Sequence, residues 1–288
     1  MNLGDQNAHN KLWFNGNIVN EEEAGVSPFD HGLLTGDGVF ETLISFDGVK
    51  PFAFTRHFER LIKSAQAFGL KVPSFELLRD ACESVLGLYN VAPARIRITI
   101  TAGRAPLGSE KGSASENVIV ASSEAPEHPL YSKVITVPFA RNERGALVGL
   151  KTTSYGENVV ALALAYSEGA REAIFGNVSG NLCEGSGSNI FIVSGGELIT
   201  PSLSSGCLPG VTRALVLEIC ERIGISVSQI DFPLSELTNA DSAFLTSTLR
   251  QVQPIDIING VPLNEVESNV YLKIKNEFLR LVQNEIDP

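Results

Sequence analysis

The sequence predicts an α+β protein built from two units, and three observations carry that expectation. Strand-like alternation brackets two helical-period segments within the first 125 or so residues. An aperiodic stretch with two prolines, EAPEHPLYSK, then interrupts the pattern. Beyond it strand-like and helical runs resume and continue to the C-terminus. The expected division is a small domain over 1–127, a linker over 128–133 and a larger domain over 134–288, sizes that suit ordinary domains.

KLWFNGNIV carries an Asn-Gly hairpin signal, and GVFETLISFDGVKPFAF places apolar runs on either side of Asp47-Gly48. The period then changes. FTRHFERLIKSAQAFGL sets Phe58, Leu61, Ile62, Ala65 and Phe68 on one helical face, and SFELLRDACESVLGLY forms a second amphipathic helix with Ser74 as its N-cap. ARIRITITAG and NVIVASS read as strands. After the linker come a strand at 133–139, a helix from Val159 to Gly169, strands at EAIFGN, NIFIV and ELITP, and a helix over 212–223. Strands near SVSQIDF and SAFLTS and a C-terminal helix complete the chain.

The composition is that of a globular protein. A net charge of −11 argues against nucleic acid as a partner, because phosphate backbones select basic surfaces. Cys82, Cys183, Cys207 and Cys220 include no CxxC pair and have no histidine nearby in sequence, so they suggest neither a zinc site nor a redox motif. A reduced, cytoplasmic protein is expected. The N-terminus lacks the basic start and apolar core of a signal peptide, and no apolar run approaches the roughly 20 residues that span a bilayer.

Lys151 stands out, because it follows the apolar approach Ala146 to Leu150 with no acidic residue beside it until Glu157. Two readings are open for it: a stem covering apolar surface, or a desolvated amine that forms a Schiff base with a carbonyl. In GCLPGVTRALVLEIC, Thr212 caps a helix whose Val211 and Thr212 amides point at an anion such as phosphate, or it is an ordinary cap. Thr248, in the hydroxyl cluster after SAFLTS, either joins that phosphate or ends a strand. Arg60 is a fixed charge for a phosphate or a surface residue. Glu184, between strand residues and a glycine-serine turn, meets a cation or caps the turn. The glycines make no dinucleotide fingerprint, since a strand follows them, and neither GxSxG nor GxxxxGK[ST] occurs.

In this order, GDGVFETL, RHFERLIKSA, LKTTSY and CEGSGSNIFIV…TPSLSSGCLPGVTR resemble the fold-type IV pyridoxal-phosphate enzymes. That family holds the branched-chain and D-amino-acid aminotransferases, the (R)-amine transaminases and the aminodeoxychorismate lyases. The resemblance spans about residue 12 to about residue 262. It implies a small α+β domain, a larger domain with a barrel-like sheet, and a homodimer. It also implies that Lys151 carries pyridoxal 5′-phosphate in Schiff-base linkage and shuttles the proton, while Glu184 faces the pyridine nitrogen and keeps it protonated. Arg60, the amides of Val211 and Thr212, and the Thr248 hydroxyl are implied for the phosphate, Leu208 for the ring face and Tyr155 for the phenolic oxygen.

Phe40 and Thr42 of the FET motif are expected near substrate. The Arg and His that hold the carboxylate in D-amino-acid aminotransferases are replaced by Leu107 and Ser109, so Arg104, Arg141 and Arg144 are the candidate anchors. The expected reaction is amino transfer between an amino acid or (R)-amine and a 2-oxo acid. Aminodeoxychorismate lyase is the alternative, and a non-catalytic phosphate- or cofactor-binding protein is the alternative of another class.

Overall fold

A computed structural model describes residues 11–288 and groups the chain into two compact units. One comprises residues up to Pro126, Lys151–Ser154 and Ile286–Pro288; the other comprises Glu127–Leu150 and Tyr155–Glu285.

The first unit contains β1 (Lys11–Phe14), β2 (Asn17–Asn20), α1 (His31–Leu34), β3 (Gly38–Ser45), α2 (Phe54–Phe68), α3 (Phe75–Tyr89), β4 (Ala94–Thr101) and β5 (Asn117–Glu124). Its five strands form one sheet in the order β2-β1-β5-β4-β3, which leaves β3 at an edge. Asn15-Gly16 makes the expected hairpin turn, both residues taking the positive φ that a tight two-residue turn requires. Ser74 caps α3 by accepting from the Leu77 amide at 3.2 Å. The second apolar run after Asp47-Gly48 is not a strand. The Asp47 carboxylate accepts from the Val49 and Lys50 amides, a local turn that takes up the donors a ladder would need, and the chain runs into α2.

The core of this unit joins Leu43, Leu61, Leu78, Val85, Ile96, Ile98 and Ile100. On α2 the buried stripe is Phe54, His57, Arg60, Leu61, Ser64 and Ala65, whereas Phe58, Ile62 and Phe68 of the expected face are only partly buried. Three polar residues therefore point inward. Their partners lie on other elements, which helical periodicity does not register.

The second unit contains β6 (Ser132–Arg141), α4 (Gly156–Ser167), β7 (Glu172–Asn177), β8 (Leu182–Gly185), β9 (Asn189–Ser194), β10 (Glu197–Pro201), α5 (Val211–Arg222), β11 (Val227–Ile230), β12 (Ser242–Ser247), β13 (Gln251–Ile258), β14 (Val261–Pro262) and α6 (Asn269–Asn284). Its sheet runs β11-β10-β9-β12-β13-β6-β7-β8, with β14 on β13, and curls as a half barrel. The α+β class with a barrel-like sheet thus holds. Ile174, Leu182, Ile190, Ile192, Leu245 and Ile255 make one core cluster, and Phe175, Ala161, Ala165, Cys183 and Cys207 make another. The sequence pattern predicts no strand at β13, where Pro254 argues against one. There the strand tolerates a register shift between Ile255 and Ile257 against β6.

Candidate active site

In the first unit the Lys151 segment lies along the open edge of β3. The Phe40 amide donates to the Lys151 carbonyl at 3.1 Å and the Thr153 amide to the Gly38 carbonyl at 2.8 Å, with Val39 and Thr152 in an antiparallel bridge. The Lys151 amide donates to Ser64 Oγ of α2 at 3.0 Å. Lysine and strand are thereby locked in register, because an edge strand offers unpaired backbone groups that any neighbouring segment can use. Gly38 has to be glycine: a Cβ there would stand 2.9 Å from both the Ile100 carbonyl and Thr153 Oγ1.

The Lys151 amine lies 4.5 Å from the Phe40 ring centroid, and the Arg97 guanidinium lies 3.8 Å from the same centroid. Arg97 pairs with Thr42 across β3 and β4, so their side chains share one face. Sequence reasoning passed over Arg97, although the alternation in RIRIT was the signal that it lies on the opposite face from the core isoleucines. Arg104 is exposed, bridges Asp30 through backbone pairing and has its guanidinium 5.4 Å from the Phe29 ring.

On the core face of β3, Glu41 is fully buried and receives Arg60 in a two-pronged pair, Nε and Nη2 each at 2.7 Å. His57 Nδ1 is 2.8 Å from the same carboxylate. Burial by itself would raise the Glu41 pKa, but the charge and hydrogen bonds of Arg60, aided by His57, outweigh it and hold the carboxyl at about 2. For His57 burial dominates and lowers the pKa, with the Arg60 and Lys151 charges acting in the same direction. Arg60 is thus a buried residue with a fixed orientation rather than a surface one.

In the second unit Glu184 accepts from the Leu208 amide at 2.9 Å and stands 3.4 Å from Arg141 Nε. Arg141 also meets Glu157 at 3.0 Å and lies 4.0 Å from the Phe175 ring centroid. Its guanidinium thus lies between two carboxylates, hydrogen-bonded to Glu157 and with Nε beside Glu184. Arg144 is exposed, with its amide on Asn142. The Tyr155 hydroxyl donates to the Ser186 carbonyl at 3.2 Å.

The N-cap of α5 is Gly210, not Thr212, which lies inside the first turn. The first bond of the helical ladder runs from the Ala214 amide to the Gly210 carbonyl, so the amides of Val211 and Thr212 precede it. A Cβ on Gly210 would stand 2.0 Å from Asn189 Oδ1, and Asn189 is itself held by the Leu208 carbonyl at 2.9 Å. Close approach, not an unusual φ, demands glycine here. Thr248 sits half-buried in the turn after β12, while buried Thr246 Oγ1 has no hydrogen-bond partner among the described residues. Among those residues no cluster suits a metal ion, and no helix is long and apolar enough to cross a membrane.

The first unit thus holds a lysine fixed on a strand edge, and the second holds a helix terminus with amides outside the ladder and a carboxylate beside an arginine. Residues 38–258 match the amino-transferase class IV family, and the chain belongs to it; it is a transaminase-class enzyme, working on amino and keto acids. It is 34% identical over 275 residues to the putative branched-chain-amino-acid aminotransferase of Methanocaldococcus jannaschii, covering 93% of this chain and 95% of that one. It is 30% identical over 282 residues to the aminodeoxychorismate lyase of Bacillus subtilis, covering 94% and 96%. Among solved structures it is similar to the T.th. branched-chain amino acid aminotransferase complexed with N-(5′-phosphopyridoxyl)-L-glutamate, with a TM-score of 0.88, 28% identity, and coverage of 96% and 94%.

Proposed function

We propose that the chain is a pyridoxal-phosphate-dependent aminotransferase in which Lys151 holds the cofactor in Schiff-base linkage, and that branched-chain L-amino acids and L-glutamate with their 2-oxo acids are its first substrates to test. The observation that carries this reading is the anchoring of Lys151, whose backbone is tied to β3 and α2 while its amine lies against Phe40. Bound there, the cofactor supplies an electron sink for the carbanion formed when the substrate loses its Cα proton.

The chain's own residues do the rest. The Lys151 amine takes that proton and returns it. Glu184, steadied by Arg141 and the Leu208 amide, keeps the ring nitrogen protonated, and Leu208 packs on the ring. In the second unit the Val211 and Thr212 amides and Thr248 hold the phosphate, because a helix N-terminus with amides outside the ladder favours an anion; Arg60, oriented in the first unit by Glu41, is the guanidinium the resemblance implies for it. Tyr155 lies at the phenolic oxygen. Phe40 and Thr42 line the substrate position, with Arg97 as the carboxylate anchor that shares their face and Arg104 as the alternative. The pairing of Arg141 with Glu184 gives it the carboxylate to steady in place of substrate. The two units correspond to the small and large domains of the family, and the working form is a cytoplasmic homodimer, a location supported by four buried free cysteines.

Likeness to the Bacillus subtilis lyase favours a second reading, pyruvate elimination from aminodeoxychorismate. Purified protein given pyridoxal phosphate is expected to show a band above ~400 nm that borohydride bleaches, and Lys151→Ala is expected to lose it. A retained reducible band in that variant refutes the role of Lys151. Amino transfer from L-glutamate or L-leucine to a 2-oxo acid, assayed beside pyruvate release from aminodeoxychorismate, decides between the two reactions.

A further inference from the structure

The glycine-serine turn after Glu184 has the make-up of an anion cradle, and the anion it holds is a side chain of the same unit. Glu172, at the start of β7, is 1% exposed. Its Oε1 accepts from the Ser186 amide at 3.0 Å, from the Ser186 hydroxyl and from the Ala173 amide at 3.1 Å. Its Oε2 accepts from the Ser188 hydroxyl at 3.1 Å and stands 3.5 Å from Arg250 Nε. The turn closes on itself through the Gly185 amide, which donates to the Ser188 carbonyl at 2.7 Å. Gly185 has no room for a side chain: a Cβ would meet Ser188 Oγ at 2.3 Å and the Glu172 carboxyl carbon at 3.2 Å.

The outer side of the same turn presents the Ser186 carbonyl. It accepts from Asn158 Nδ2 at 2.6 Å and from the Tyr155 hydroxyl at 3.2 Å, both on the first turn of α4 or its cap. One carboxylate therefore fixes the amide and hydroxyl of Ser186, and the carbonyl of that residue in turn receives Tyr155.

We propose that Glu172 is a positioning residue that sets the place of the Tyr155 hydroxyl through the Ser186–Ser188 turn. The proposal rests on the pyridoxal-phosphate reading, in which Tyr155 touches the cofactor. A side chain that merely stabilised the fold would leave the proton affinity of the bound cofactor unchanged. One that sets where the Tyr155 hydroxyl proton points, toward the Ser186 carbonyl or toward the cofactor, changes it.

The test is a pH titration of the absorption band above ~400 nm in the reconstituted full chain, with Glu172→Gln, Tyr155→Phe and the double variant compared with the parent. Glu172→Gln is expected to move the titration midpoint by roughly one pH unit, tenfold in proton affinity, in the same direction as Tyr155→Phe. The double variant is expected to match Tyr155→Phe alone, since the two act through one hydroxyl. An unmoved midpoint in Glu172→Gln, or shifts that add in the double variant, overturns the proposal. If Glu172→Gln does not fold, Ser186→Ala and Ser188→Ala carry the same comparison with the carboxylate in place. Absence of the band from the parent protein overturns the cofactor reading itself and the positioning role with it.

Discussion

Glu41 shows how much a single buried carboxylate governs. It meets Arg60 with both oxygens and His57 with one, at distances of 2.7 to 2.8 Å. Removal of one partner of such a pair leaves the other charged and without its counter-charge in the interior, at a cost of about 3–5 kcal/mol. Glu41→Ala is expected to lose stability of that order in urea unfolding. The pH dependence has a definite sign. With the folded pKa depressed from 4.5 to about 2, the contribution of Glu41 is complete above the ordinary value and disappears as pH falls toward 2. Unfolding free energy should drop by about 3 kcal/mol across that window in the parent, and Glu41→Gln should flatten the slope. A parent protein equally stable at pH 2.5 and pH 5 contradicts the assignment. The depressed His57 pKa acts in the same direction below about pH 6.5.

At the level of elements, β3 serves two faces and one edge. Its odd positions send Val39, Glu41 and Leu43 to the core and α2, while Phe40 and Thr42 face away with Arg97. The edge takes the Lys151 segment. In the second unit, α5 depends on Gly210, where Asn189 leaves no space for a methyl group. Gly210→Ala is expected to push the helix start away from its place and to weaken binding of pyridoxal phosphate about three- to thirty-fold, the scale of a helix-terminus interaction with an anion. Binding of pyridoxal, which lacks the phosphate, should barely change. Absorbance titration of the cofactor-free protein with both compounds checks this, and equal losses for the two would show that α5 does not hold the phosphate.

For the whole molecule, each unit has a sheet and apolar clusters of its own. With a net charge of −11 the protein repels its own copies at long range, so association in physiological salt needs a specific apolar interface. Exposed Val159, Val160 and Tyr166 on α4 are apolar residues available for such a contact. Sedimentation of the holoenzyme is expected to give twice the chain mass of 30.9 kDa; a stable monomer at micromolar concentration contradicts the homodimer.

Periodicity sufficed to locate α2, α3, α5 and α6 and most strands, because the alternation of apolar residues is itself the physical cause of those elements. The order of four short motifs sufficed for the family, which a match over residues 38–258 then established. The anion signals of the sequence lay at the Thr212 helix start and the Thr248 hydroxyl cluster, and none lay at the glycine-serine turn after Glu184. Only the tertiary structure decided that Gly185–Ser188 surrounds Glu172, that Gly210 rather than Thr212 caps α5, and that Arg60 lies against Glu41. Hydrogen bonds and burial join residues distant in sequence, and the energy of a charge depends on what surrounds it in space.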